Sequence, residues 1–237
     1  MAPPRPWTVL KHGPLEKHED NLWSVDGTLP TGHMNRRMSI VRLPDGRLVF
    51  HNAVPLDEPA MKELESWGTP TFLIVPTGFH RLDVHAFKQR YSAMKVIAPA
   101  KQRARVEQVV AVDGSWDLLP NDPTVKAEVY RGAKVDEAAV IVKSGPRVSF
   151  LFADMVMNIP EMAGLDGFMF KLLGSIGGPR VTRIAKFALV GDKKQLKEHL
   201  RELGQTPGLS RIIPSHGRNI EGAEAAKAAM EEVVRRL

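Results

Sequence analysis

The sequence contains no cysteine. That absence excludes disulfides, thiolate zinc sites and a cysteine nucleophile, so any transition metal would have to be held by His, Asp and Glu. Long apolar runs are missing as well. Nothing approaches the roughly 20 residues of a membrane helix. The opening Met1-Ala2-Pro3-Pro4-Arg5-Pro6-Trp7 leads into charged residues rather than the apolar stretch of a secretory signal. A soluble cytoplasmic protein is therefore expected. No internal repeat or linker divides the 237 residues, which read as one domain over 1–237.

The bulk composition, 43% hydrophobic and 25% charged, fits a soluble globular chain. The net charge of +6 raises the question of nucleic acid. Much of that charge, however, lies on helix-patterned segments. Lys193, Lys194, Lys197 and Arg201 alternate with Glu198 and Glu202, and Arg235 and Arg236 follow Glu231 and Glu232. Such spacing marks a solvated face with i,i+4 pairs. Lys101, Arg103 and Arg105 cluster more tightly, but without an aromatic stacking set. The expected partner is a small molecule, with an anionic one favoured by the basic balance. Nucleic acid and membrane are not expected, and homo-oligomer formation stays open.

Along the chain, residues 1–20 form an irregular lead-in, and Pro-, Gly- and His-rich character runs on to residue 36 around a short strand at Asn21–Val25. Met38–Leu43, the turn Pro44-Asp45-Gly46 and Arg47–Phe50 spell a hairpin. Met61, Leu64 and Trp67 sit at helical spacing within Glu58–Trp67, and Gly68 follows as a stop. Phe72–Val75 reads as a strand buried on both faces. A helix over Val84–Tyr91 and a strand over Lys95–Ala98 complete a β-loop-α-β unit with parallel pairing. Short strands are expected at Val109–Val112, Ser115–Leu118, Val125–Tyr130, Ala138–Val142 and Val148–Phe152, as a meander. Residues 160–190 form an apolar helical insert broken by glycines: a lid, a packed insert or a dimer surface. A helix over Asp192–Leu203 with Asp192 as N-cap, a strand over Ser210–Pro214 and a helix over Glu221–Leu237 close the chain.

Three segments carry candidate chemistry: Thr77-Gly78-Phe79-His80-Arg81-Leu82-Asp83-Val84-His85, Phe150-Leu151-Phe152-Ala153-Asp154 and Ile212-Ile213-Pro214-Ser215-His216-Gly217. Each delivers an Asp or His where an apolar strand stops, the place where layered α/β proteins assemble metal centres. Each also has a plainer reading. His80 or Asp83 would cap the following helix, Asp154 would bond loop amides, and His216-Gly217 would be a turn. His85, just inside a helix, is more readily a surface residue than a ligand. Glu137 and His51 are further polar residues near strand ends. His12, His18 and His33 show no metal spacing.

The order of these parts resembles the metallo-β-lactamase superfamily. The likeness runs from about Asn21 to the C-terminus and is strongest in Arg37–Gly46, the His80 loop, Asp136-Glu137, and the Asp154 and His216 strand ends. It points to a divergent branch known only as a domain of unknown function. The resemblance implies an α/β fold (α+β in some schemes): a four-layer αβ/βα sandwich with a dinuclear metal site between its sheets. Laid on the family's first motif, Thr-His-x-His-x-Asp-His, Gly78 takes the first His position and His80 the second. Leu82 takes the Asp position and Asp83 the last His. The third motif's His would fall near Gly132-Ala133, where none exists, while Asp154 and His216 match the fourth and fifth.

The resemblance thus implies a reduced, mononuclear site. His80, Asp154 and His216 would hold one divalent metal, zinc or else Mn or Fe, with Asp83 as fourth ligand or water-orienting base. His85, Glu137 and His51 are second-tier candidates. The implied activity is hydrolysis of an ester, thioester, lactone or similar small acyl compound. The alternative is a non-catalytic, metal-free binding protein on the same fold, with Met155–Phe170 as its partner surface. A nuclease or phosphodiesterase would need two metals, against which the ligand count speaks.

Overall fold

The hairpin signature at Met38–Phe50 is realised, and it lies within the first of two mixed sheets. The computed structural model describes residues 5–30, 34–162 and 164–237, without the side chains of residues 165, 166 and 169. The first four residues of the lead-in, His33, Ala163 and the Met169 side chain fall outside the described residues. The chain divides into two compact units, Met1–Ala127 and Glu128–Leu237.

The first unit contains β1 (Glu16–Glu19), β2 (Leu22–Thr28), β3 (Asn35–Arg42), β4 (Arg47–His51), α1 (Glu58–Trp67), β5 (Thr69–Ile74), α2 (Val84–Arg90), β6 (Lys95–Ile97) and α3 (Arg103–Val106). Its sheet runs β1-β2-β3-β4-β5-β6. Pairing is antiparallel from β1 to β4 and parallel from β4 to β6. The Asp57 carboxylate caps α1 by accepting the Ala60 N–H at 3.0 Å. Gly68 ends α1 by close approach rather than by a left-handed turn: its φ is −178°, and a Cβ there would lie 2.4 Å from the Gly46 carbonyl oxygen. Trp67, the last residue of α1, stacks on Trp23 of β2 with ring centres 3.9 Å apart. Phe87 of α2 meets Trp7 at 5.0 Å and Phe50 at 5.8 Å. Such aromatic pairs add about 0.5–1.5 kcal/mol each beyond the area they bury.

The second unit begins within β7 (Val125–Val129) and continues through β8 (Ala138–Ser144), β9 (Arg147–Phe152), α4 (Gly164–Leu172), α5 (Arg183–Leu189), α6 (Lys193–Gly204), β10 (Leu209–Pro214), β11 (Ile220–Glu221) and α7 (Ala223–Arg236). Its sheet order is β11-β10-β9-β8-β7, with β8–β9 antiparallel and β9–β10 parallel. The Asp192 carboxylate caps α6 by accepting the Gln195 N–H at 3.0 Å. Leu196, His199, Leu200 and Leu203 form the buried face of α6, and Ala226, Ala229, Met230 and Val233 that of α7. The core of this unit draws on both faces. None of the described helices is long and apolar enough to cross a membrane.

Two expected strands of the meander do not form. Val109–Val112 is turn and irregular chain, and Trp116–Leu118 is one 3-10 turn. Val110 and Val112 are buried nonetheless. Beside β6, the Asp113 carboxylate accepts the Val96 N–H at 2.9 Å, taking the place of a ladder partner. Sequence reasoning also missed β1, whose Glu-Lys-His-Glu carries the charge of an edge strand rather than a strand signature. Nor are all helix charges paired within their helix. Glu232 takes both Arg235 and Arg236, whereas Glu202 turns to Arg131. In the segment Met155–Phe170, Met155 and Val156 are buried and Phe168 is exposed.

Buried His199 accepts the Arg131 N–H at Nδ1, 3.0 Å away. Burial, then the Arg131 charge, holds its pKa below the usual histidine value of 6.5. A base with a depressed pKa favours the fold while neutral, so stability is lost as pH falls below 6.5. Denaturant unfolding at pH 7.5 and 5.5 is expected to show that loss in the wild type. The loss should shrink in His199→Asn, which keeps an acceptor but cannot titrate.

Candidate metal centre

The pairing of β9 with β10 decides where Asp154 and His216 come to lie. The strands are parallel, with Phe152 in register with Pro214. Each chain then runs two residues past that pair, so Asp154 and His216 emerge at the same carboxyl edge, where open α/β sheets place their ligands. The Ser215 N–H donates to the Phe152 carbonyl at 2.7 Å and carries the pairing beyond the strands. His216 Nε2 lies 3.8 Å from Asp154 Oδ1, with both side chains largely buried. That is too long for a mutual hydrogen bond. Two ligand atoms about 2.1 Å from one tetrahedral ion would be roughly 3.4 Å apart.

His216 is fixed from behind by backbone. Its carbonyl accepts the Asn158 N–H at 3.2 Å, and the Asn158 carbonyl accepts the Arg218 N–H at 2.9 Å. Gly217, between them, has φ +95°, and a Cβ would lie 2.0 Å from the Asn158 oxygen. Only glycine fits there. Asn158 gave no sequence signal, because what it supplies to His216 is main chain.

Glu137 supports Asp154. Glu137 lies just before β8 and Asp154 just after its antiparallel neighbour β9, close enough for the Asp154 charge to act on the Glu137 carboxyl. Fully buried, Glu137 accepts the Met155 N–H at Oε1, 2.8 Å away. Its Oε2 and the Tyr130 hydroxyl, also buried, have no hydrogen-bond partner among the described residues. Burial, then the Asp154 charge, pushes the Glu137 pKa well above the usual carboxylate range. Burial, then Glu137, pushes Tyr130 up likewise.

The remaining candidates lie in the first unit. His80 stands half-buried in the loop between β5 and α2, its N–H donating to the Thr77 carbonyl at 3.1 Å. Asp83 occupies the N-cap position of α2 but makes no side-chain cap bond. The resemblance offered it as fourth ligand or base; the structure commits its carboxylate to two guanidinium groups. Arg36 of β3 forms a buried ion pair with it, and Arg5 lies at 3.7 Å. A buried arginine needs a counter-charge, and Asp83 meets that need. His85 Nδ1 lies 3.2 Å from the Val109 carbonyl. His51 is buried at the end of β4, in register with Ile74.

The missing first histidine also has a physical counterpart. A Cβ at Gly78 would come within 2.5 Å of Arg105 Cδ and 2.6 Å of Gln102 Oε1. The space a side chain would leave through is taken by two residues from the segment that follows β6.

No protein-family model and no curated protein matches the sequence. Among solved structures, a metallo-β-lactamase from Pontibacter korlensis superposes with a TM-score of 0.63 at 13% identity, covering 96% of this chain and all of the other. DIM-1 metallo-β-lactamase exposed to ceftazidime gives a TM-score of 0.61 at 10% identity, with 96% and 98% covered. The chain has the metallo-β-lactamase fold, with two mixed sheets and helices.

If Glu137 holds the Asp154 loop, Glu137→Ala strands the Met155 N–H beside a cavity and should cost about 2–4 kcal/mol. Glu137→Gln keeps the acceptor and should cost under about 1 kcal/mol. Urea unfolding followed by far-UV circular dichroism measures both, and equal losses would remove Glu137 from this role.

Proposed function

We propose that the protein is a metal-dependent hydrolase with a single-ion centre. His80, Asp154 and His216 supply the ligands, and the substrate is an ester, thioester, lactone or similar small acyl compound. The observation that carries this reading is the Asp154–His216 pair, set by strand register on one sheet edge at 3.8 Å. His80 completes the set as the family resemblance implies, standing where that family's first motif places a ligand. The whole-length likeness to metallo-β-lactamases gives the reading its chemical direction.

The donor set fits such an ion. Two imidazoles and a carboxylate suit zinc, and also Mn or Fe, and three protein ligands leave a position for water. When bound, the ion supplies Lewis acidity and a water whose pKa falls to about 7. The chain's own residues orient and restrain. Glu137 holds the amide that follows Asp154, and Asn158 holds the His216 carbonyl. Asp83 is engaged by Arg36, so we assign it to ordering the entry of α2 and leave it out of the ligand set.

Two observations favour a second reading, a metal-free binding module. Arg105 and Gln102 crowd the Gly78 position, and Leu82 stands where the resemblance places a carboxylate. Metal analysis decides between the two. Protein purified without added metal should carry about one ion per chain. His216→Ala should lose it, along with hydrolysis of 4-nitrophenyl acetate, while keeping its circular dichroism. A wild type without metal, and without a rise in melting temperature on adding Zn, Mn or Fe, would overturn the hydrolase reading.

A further inference from the structure

We infer that Arg105, stacked on Phe79 beside His80, is an oxyanion-binding residue that recognises a carboxylate or phosphate group of the ligand. The inference deepens the hydrolase reading and rests on it for calling that ligand a substrate. The site itself rests on the geometry of the first unit alone.

The Arg105 guanidinium lies 4.2 Å from the centre of the Phe79 ring. Phe79 is 55% exposed, so its ring gains little from burial. What it does is back the guanidinium, which stacks on aromatic faces while its N–H edge stays open. Among the described residues no carboxylate meets Arg105. Its neighbours differ. Arg103 is spent on Glu107 and the Val112 carbonyl, and Arg81 on the Arg105 carbonyl and Gln108 Oε1. The side chain is nonetheless placed. Its stem runs against Gly78, where the missing Cβ leaves it room. Gln102 ties the same loop to the same segment by accepting the Gly78 N–H at 3.2 Å.

A planar fork of donors, backed by a ring, anchored along its stem and lacking a protein counter-charge, suits bidentate recognition of an oxyanion. Because the guanidinium already rests on a ring, less freedom is lost on binding than from an unsupported side chain. Phe79, the ring behind the fork, is the residue next to His80. Arg105 would therefore set an anionic group of the substrate near the ligand loop.

Isothermal titration of the full chain with butyrate and with inorganic phosphate, each with and without chelator, tests this. The wild type should bind at least one of them, the tighter one identifying the oxyanion. Arg105→Ala should weaken binding about tenfold or more at unchanged melting temperature, with or without chelator. Arg105→Lys should recover only part, since it restores charge but not the fork, and Phe79→Leu should weaken binding severalfold. No binding by the wild type, or equal affinity in wild type and Arg105→Ala, would overturn the inference. Metal content in the same samples separates the two readings. Arg105-dependent binding in protein that takes up no metal would sink the hydrolase and leave the oxyanion site. Metal and ester hydrolysis without Arg105-dependent binding would do the reverse.

Discussion

Parallel pairing of β9 and β10 is the constraint on which the candidate centre depends. Two strands far apart in sequence are set side by side in the same direction, with Phe152 level with Pro214. Once that register is set, the chemistry that follows each strand shares an edge. A slip of one residue would turn the alternating faces over and carry Asp154 and His216 out of step. The apolar sequences of both strands resist such a slip, since both are buried over most of their length. Parallel pairing also requires a crossover, and α4, α5 and α6 all lie in the connection between these strands.

Within each unit the charges are arranged economically. Asp154 has a second carboxyl near it, and like charges so close disfavour double ionisation; burial, then the Asp154 charge, raises the pKa of Glu137, the fully buried one. In the first unit Asp83 answers Arg36, so a buried cation and a buried anion excuse one another. Arg105 alone of the arginines flanking the His80 loop is left to a ring. The loop around His80 thus sets a ligand-type side chain and an exposed aromatic beside a cation that no carboxylate among the described residues meets.

Much of the fold could be read from the sequence, because periodicity and turn chemistry act locally. The hairpin around Pro44-Asp45-Gly46, the helix that stops at Gly68, the helix capped by Asp192, and the apolar runs through Ile74, Phe152 and Pro214 all lie where their patterns indicate. What escaped was decided by tertiary partners. Val110 and Val112 alternate like a strand, yet bury without pairing as one. Glu16–Glu19 pairs as an edge strand with no pattern to announce it. At the site the same division holds. Asp154 and His216 were legible as strand ends, whereas the capture of Asp83 by Arg36, 47 residues away, could not be read from spacing. Nor could the backbone role of Asn158, or the crowding of Gly78 by Arg105.

The stack of Trp23 on Trp67 has an optical side. All four tryptophans of the chain, at 7, 23, 67 and 116, belong to the first unit. Indole emission therefore arises wholly within the first unit, and the strands that bear Asp154 and His216 carry no tryptophan. Two indoles 3.9 Å apart and nearly coplanar at 5° also couple their transitions, giving that half a dichroic signature of its own. The protein carries, without any label, a dye whose four chromophores all lie in one unit.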